Sequence, residues 1–273
     1  MTLIVHPSSQ KKLDQLAQEL PQAVLLSGEK GVGLYAIAKH LAGKRFAGEL
    51  HPQDIKENAD ENGTIRVEMV RSLYEQTRAK HTTDKVIVID NADRMSHGAQ
   101  NAFLKLLEEP NAHIHFILTA HAPQKLLQTI RSRVQHSHIQ PATPAQTAEH
   151  ITSLGISDPT RKAQLSFIAE GLPAEISRLV ADDEYFKERA RIIGDARTFL
   201  QADKYGRLVI VQKYRTDRAE ALQFIDSTLQ ILRRSISAKP QQQLITQLDK
   251  LLETRERISA NHNIALQLAR FVV

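Results

Sequence analysis

Residues 85–90 read KVIVID, an unbroken run of Val and Ile that ends in Asp. A strand with one wet face alternates apolar and polar residues, so a run that is apolar at nearly every position needs cover on both sides. That is the demand of a parallel sheet with helices above and below it. AVLLSG (23–28) and HFILTA (115–120) repeat the form, and VQHSHIQP (134–141) reads as a last strand. Helical periods fill the gaps. One spans Leu34 to Gly43. Another spans Val67 to Ala79, with Val67, Val70, Leu73 and Tyr74 near one face. SHGAQNAFLKLLEEP (96–110) puts Ala99, Ala102, Phe103, Leu106 and Leu107 on one face, with Ser96 as its cap and Pro110 as its stop. PQKLLQTIRSR (123–133) reads as one further helix. Residues 1–141 are thus expected to form a layered α/β domain.

The pattern then changes. Residues 142–183 open on Thr143-Pro144, a helix start, and LSFIAEGLPAEISRLV reads as two short helices broken at Gly171 and Pro173. This predicts a small helical lid. Residues 184–273 carry long amphipathic periods and few glycines, the pattern of an all-helical third domain. The polar stretch HPQDIKENADENGT (51–64) is expected to be an exposed loop. The chain of 273 residues has no cysteine, which removes disulfides, thiolate zinc sites and a cysteine nucleophile. No apolar run approaches the roughly 20 residues of a membrane span. The N-terminus lacks the form of a signal peptide, so a cytoplasmic location and no membrane partner are expected. A net charge of +5 suits nucleic acid or an acidic partner. Only 5% of residues are aromatic, which leaves no dense stacking platform for single strands.

GEKGVGLY (28–35) follows the first strand and precedes a helix, the setting of a phosphate-binding loop, G-x-x-x-x-G-K-[ST]. Gly28 and Gly33 hold the glycine positions, with Gly31 between them; Leu34 stands at the lysine position and Tyr35 at the hydroxyl position. The lysine normally neutralises phosphate charge and the hydroxyl normally holds Mg²⁺. Leu34 can do neither. A bare strand-to-helix turn is the alternative reading of these glycines. Asp90 ends its strand as a Walker B acid does, but Asn91 follows it, and an amide cannot accept a proton as a carboxylate can. Asp93 reads equally as a metal relic and as a turn residue. Thr119 ends the HFILT strand. His113 and His115, and His136 and His138, form i, i+2 pairs that each share a strand face, with no acidic partner near in sequence; a metal role is not expected.

DNADRMSHGAQNAFLKLLEEP and HFILTAHAPQKLLQTIRSRVQ resemble the bacterial clamp-loader subunits of DNA polymerase III, over almost the whole chain. NAFLKLLEEP (101–110) and TIRSRV (129–134) carry the likeness most specifically, and TIRVEMVRSLYEQT (64–77) adds to it. The resemblance implies an AAA+ module of two parts followed by a helical collar. Within that family the two losses point to a member without ATPase activity of its own. Its partners would be the gamma/tau and delta subunits, the sliding clamp, and primed DNA through the assembled ring. It would hold no cofactor; ATP and Mg²⁺ would belong to a neighbouring subunit. The family's Ser-Arg-Cys motif falls on Ser132, Arg133 and Val134, which makes Arg133, with Ser132, the expected arginine finger acting in trans. A solvated arginine at a helix end is the alternative. Gly28, Gly31 and Gly33 would be a degenerate P-loop, and Asp90, Asp93 and Thr119 relics of Walker B and the first sensor. The sequence departs from the family in Val134, in the missing four-cysteine zinc module (His51 alone is no substitute), and in Ala174 at the second-sensor position. Lys105 and Glu108 are expected at the surface or an interface. An ATPase using Lys30 in place of Leu34, and a DNA-binding adaptor, are the rival readings.

Overall fold

The computed structural model describes residues 3–53, 63–78, 82–109, 112–239 and 241–272. Ala79, Pro110 and the centre of the 51–64 stretch lie outside them. The ends of that stretch meet, with Gln53 and Thr64 paired as an antiparallel bridge. Two compact units follow one another, Met1–Arg178 and Leu179–Val273.

The first unit holds five parallel strands: β1 (Ala23–Gly28), β2 (Phe46–Leu50), β3 (Lys85–Ile89), β4 (Ile114–Ala120) and β5 (Gln135–Ile139), in the order β2-β3-β4-β1-β5. Alternate residues of β1, β3 and β4 feed two cores. Leu25, Ile87, Ile89, Phe116 and Leu118 face one side, against helices α3 (Val67–Arg78) and α4 (His97–Glu108). Val24, Leu26, Val86, Val88 and Ile117 face the other, against α1 (Pro7–Gln18) and α2 (Leu34–Ala42). Two-sided burial is why β1, β3 and β4 are apolar at nearly every position. β2 is an edge strand whose residues alternate between exposed and covered. FAGEL therefore lacks an apolar run, and the sequence reading left it out.

The α4 expectations hold. Ala99, Ala102, Phe103, Leu106 and Leu107 are buried, and the Ser96 hydroxyl accepts from the Ala99 N–H. The single helix expected over 123–133 is broken. A 3₁₀ turn covers Pro123–Lys125, and α5 covers only Gln128–Arg131. Leu126 and Leu127 between them are extended, with ψ near 141° and 142°. The break buries Leu126 and lets α4 satisfy the freed backbone, as described below. Short helices α6 (Pro144–Ser153), α7 (Pro159–Ala169) and α8 (Pro173–Ala181) follow β5. Thr143 caps α6 in a capping box with Gln146, and Gly171, at φ 77°, makes the turn before Pro173.

The second unit is all-helical: α9 (Asp183–Gln201), α10 (Lys204–Gln212), α11 (Arg218–Ala238), α12 (Gln242–Ser259) and α13 (Ile264–Val272). Its core is built around rings. Tyr214 stacks on Phe224 at 4.5 Å, Phe224 meets Phe199 edge-on at 5.4 Å, and Phe199 stacks on Phe271 at 5.4 Å. The buried Tyr214 donates its hydroxyl to Asp195 at 2.7 Å, and Lys213 reaches the same carboxylate at 2.8 Å. Burial and the bond to Asp195 push the Tyr214 phenol up. Burial pushes the Asp195 carboxyl up, but Lys213, the Tyr214 hydroxyl and Arg191 outweigh it and hold the group below its ordinary value of 3.8. Asp195 therefore stabilises the folded chain fully above that value, and the contribution is lost as pH falls through the lower folded one. Melting temperature followed from pH 6 down to about pH 2.5 should drop more steeply for the wild type than for Asp195→Asn. Parallel curves would contradict this account.

Candidate functional site

β1 delivers Gly28 to the C-terminal edge of the sheet, where ligands bind in open α/β folds. Gly31 and Gly33 sit at φ 96° and 93°, a region closed to most side chains. A Cβ on Gly31 would also lie 2.8 Å from the Cβ of Glu175. The loop thus makes a tight strand-to-helix turn with left-handed backbone at both glycines. Its expected lysine position is filled otherwise. Leu34 is buried in the α1–α2 core with Val24, Leu26, Val32 and Ile37, while Lys30 is exposed. Tyr35 leans towards β2 and donates its hydroxyl to Glu49, which also faces Lys39 at 3.5 Å and His51 at 3.4 Å. Burial, then the bond to Glu49, raises the Tyr35 phenol above its ordinary value.

The start of α8 closes on the loop. The N–H groups of Ala174 and Glu175 donate to the Gly31 carbonyl at 2.9 and 3.2 Å. Free amides at a helix start would suit an anion; these two already have a partner. The Ala174 side chain lies over Gly33. An apolar cavity of about 310 Å³ opens beside α2, lined in part by Leu3, Ile4, Val32, His150 and Pro173.

At the end of β3 the Asp90 carboxylate accepts from the Thr119 hydroxyl at 2.6 Å and the Asn91 amide at 2.7 Å, and His51 lies 3.4 Å away. Asn91 is left-handed, φ 50°, and its N–H donates to the Thr119 hydroxyl at 2.9 Å. The fold so joins Asp90, Asn91 and Thr119 in one network. Asp93 turns elsewhere and accepts from the Ala122 N–H at 3.1 Å, bracing the segment after β4.

Arg133 and Ser132 follow α5 and are exposed. The Ser132 hydroxyl and the Arg133 Nη1 both donate to the Thr129 carbonyl, each at 3.1 Å. Arg133 Nη2 pairs with Glu108, at the end of α4, at 3.1 Å. Val134 is buried in the same core as Leu126 and Ile130 and so acts through packing.

Gln100 escaped the sequence reading, because an amide inside an amphipathic helix gives no signal of its own. It is buried on α4. Its Oε1 accepts from the Leu127 N–H at 2.7 Å, and its Nε2 donates to the carbonyls of Met95 and Lys125 at 3.2 and 3.3 Å. One side chain thereby satisfies the extended backbone that breaks the 123–133 helix and sets where α5 starts. Gln100→Leu leaves the Leu127 N–H without that acceptor and should cost about 2–3 kcal/mol. Chemical denaturation measures this, and a loss below about 0.5 kcal/mol would rule out the clamp.

Of the histidines, His136 and His138 share a face as expected and both reach the buried Ser27 hydroxyl, at 2.7 and 3.1 Å. Burial, then the charges of His138 and Arg131, lowers the His136 imidazole. His113 and His115 converge on Asp84, at 3.0 and 3.9 Å, an acidic partner that sequence distance hid. Among the described residues no group of three or more such side chains could hold a metal ion. Nor is any described helix long and apolar enough to cross a membrane.

A family model described as "DNA polymerase III, delta subunit" matches residues 42–143. The DNA polymerase III subunit delta' of Bacillus subtilis is 29% identical over 64% of this chain and 58% of its own length. The tau/gamma subunit of Haemophilus influenzae is 30% identical over 50% of this chain and 22% of its own. The match thus spans less than two thirds of these relatives' length. A solved gamma subunit-related protein of Thermotoga maritima superposes with a TM-score of 0.52 over 97% of both chains at 15% identity, a likeness of fold alone. Residues 42–143 and the stretch shared with the delta' relative are thus similar to clamp-loader subunits of bacterial DNA polymerase III, and the five-stranded parallel sheet with its helical second unit shares the fold of the solved gamma subunit-related protein.

Proposed function

We propose that this chain is a delta'-like clamp-loader subunit that hydrolyses no ATP and lends Arg133 to the nucleotide site of a neighbouring subunit. The reading divides it into an AAA+ domain (1–141), a lid (142–183) and a collar (184–273). Its partners are the gamma/tau and delta subunits, with the sliding clamp and primed DNA met through the assembled ring. One observation supports the absence of turnover above the rest. The side chain at the lysine position is a leucine buried among Val24, Leu26, Val32 and Ile37. A degenerate P-loop of this build offers γ-phosphate no cation, and Asn91 offers the attacking water no base. ATP and Mg²⁺ then belong to the neighbour, and the task left to this chain is geometric.

The first test is Mg-ATP binding and hydrolysis by the purified, folded chain. We expect no turnover and at most weak binding. Steady turnover abolished by Lys30→Ala would replace this reading with that of a gamma/tau-like ATPase. Tight DNA binding by the isolated chain with a steep salt dependence would favour the adaptor reading.

A further inference from the structure

We propose that Glu108 is a positioning residue for Arg133: it holds the guanidinium in a resting pose and yields it to a neighbour's nucleotide by exchanging a carboxylate for a phosphate. The inference rests on the finger reading given above. Arg133 is fixed at two of its nitrogens, Nη1 on the Thr129 carbonyl and Nη2 on Glu108, each at 3.1 Å. The two contacts differ in kind. Thr129 lies within the helix that precedes Arg133 and can follow it through any movement of that segment. Glu108 comes from α4 and is the charged partner, among the described residues, that a bound phosphate would have to displace.

The exchange is easy because the pair is wet. The Arg133 and Glu108 side chains are 41% and 51% exposed, and exposed pairs contribute little. A terminal phosphate carries more charge than a carboxylate and three acceptor oxygens, so it wins a guanidinium from such a partner. A nucleoside diphosphate has no phosphate at the γ position that the finger reaches, and the carboxylate takes the guanidinium back. α4 thus governs the finger twice, through Gln100 at the start of α5 and through Glu108 at the tip.

A resting partner lowers the fraction of fingers ready to bind and raises the apparent constant by that fraction. Rings reconstituted with the ATP-hydrolysing partner subunits would be compared for KM and kcat of ATP hydrolysis, with Arg133 intact or as Arg133→Ala. Glu108→Gln should lower KM by up to about fivefold, the reach of an exposed pair, with kcat little changed. Glu108→Asp should restore the wild-type KM. In the Arg133→Ala background Glu108→Gln should change nothing. An unchanged KM in a ring that Arg133→Ala slows about a thousandfold overturns the role of Glu108 and leaves the finger standing. The same KM shift in both backgrounds also overturns it, because Glu108 would then act by another route. Full activity of the Arg133→Ala ring overturns the finger reading and this inference with it.

Discussion

Arg133→Ala is expected to leave a ring that assembles normally and hydrolyses ATP about a thousandfold more slowly when primed DNA is present, the lower end of what such fingers supply elsewhere. The size follows from chemistry. Charge that develops on the transferred phosphoryl group is stabilised by a guanidinium in a water-poor site, and alanine offers nothing in its place. Normal assembly follows from position. Arg133 is exposed, its pair with Glu108 is wet, and its backbone is held by α5 and by the buried Val134 beside it. An exposed pair of this kind is worth about 0–1 kcal/mol to the fold. Steady-state ATPase and sedimentation of the same preparation read the two halves separately. Undiminished hydrolysis in a correctly assembled ring would remove Arg133 from the neighbour's site. A ring that failed to form would instead make it an assembly residue.

Leu34→Lys, which writes the P-loop lysine back into the sequence, is expected to weaken the protein rather than revive it. Leu34 is 2% exposed among Val24, Leu26, Val32 and Ile37, and its Cδ2 lies 3.3 Å from where a Cβ on Gly28 would sit. An ammonium placed there is surrounded by aliphatic side chains, and burying an unpaired charge is among the few single changes that cost several kcal/mol. The lysine can lift its amine towards the loop mouth, so a loss of about 2–4 kcal/mol is expected rather than complete unfolding. Turnover should stay absent, because Asn91 still offers no base. The measurements are urea denaturation and Mg-ATP hydrolysis of the variant. A variant as stable as the wild type that turned over ATP would show that only the lysine had been lost.

Much of the fold was legible because it rests on patterns local to each segment. Three of the five strands are apolar at nearly every position, and only burial on both faces explains that. The α4 face, its Ser96 cap, the helix start at Thr143-Pro144 and the break at Gly171 and Pro173 each follow from a few neighbouring residues. β2 was not legible, since an edge strand pairs on one side and needs no apolar run. The broken helix over 123–133 was not legible either. Its sequence has no glycine and no interior proline, and the break depends on Gln100, some 25 residues earlier, taking over the backbone bonds that a continuous helix would have made.

The candidate site divides in the same way. Residue identity alone determined which groups are missing, because a leucine cannot carry charge and an asparagine cannot take a proton wherever they lie. Only the tertiary structure decided what stands in their place. Leu34 turns into the core, α8 bonds to Gly31, Thr119 and His51 meet at Asp90, and Glu108 meets Arg133. Each of these contacts joins residues from different elements, and hydrophobic periodicity carries no information about which polar groups the packed elements will bring within 4 Å of one another.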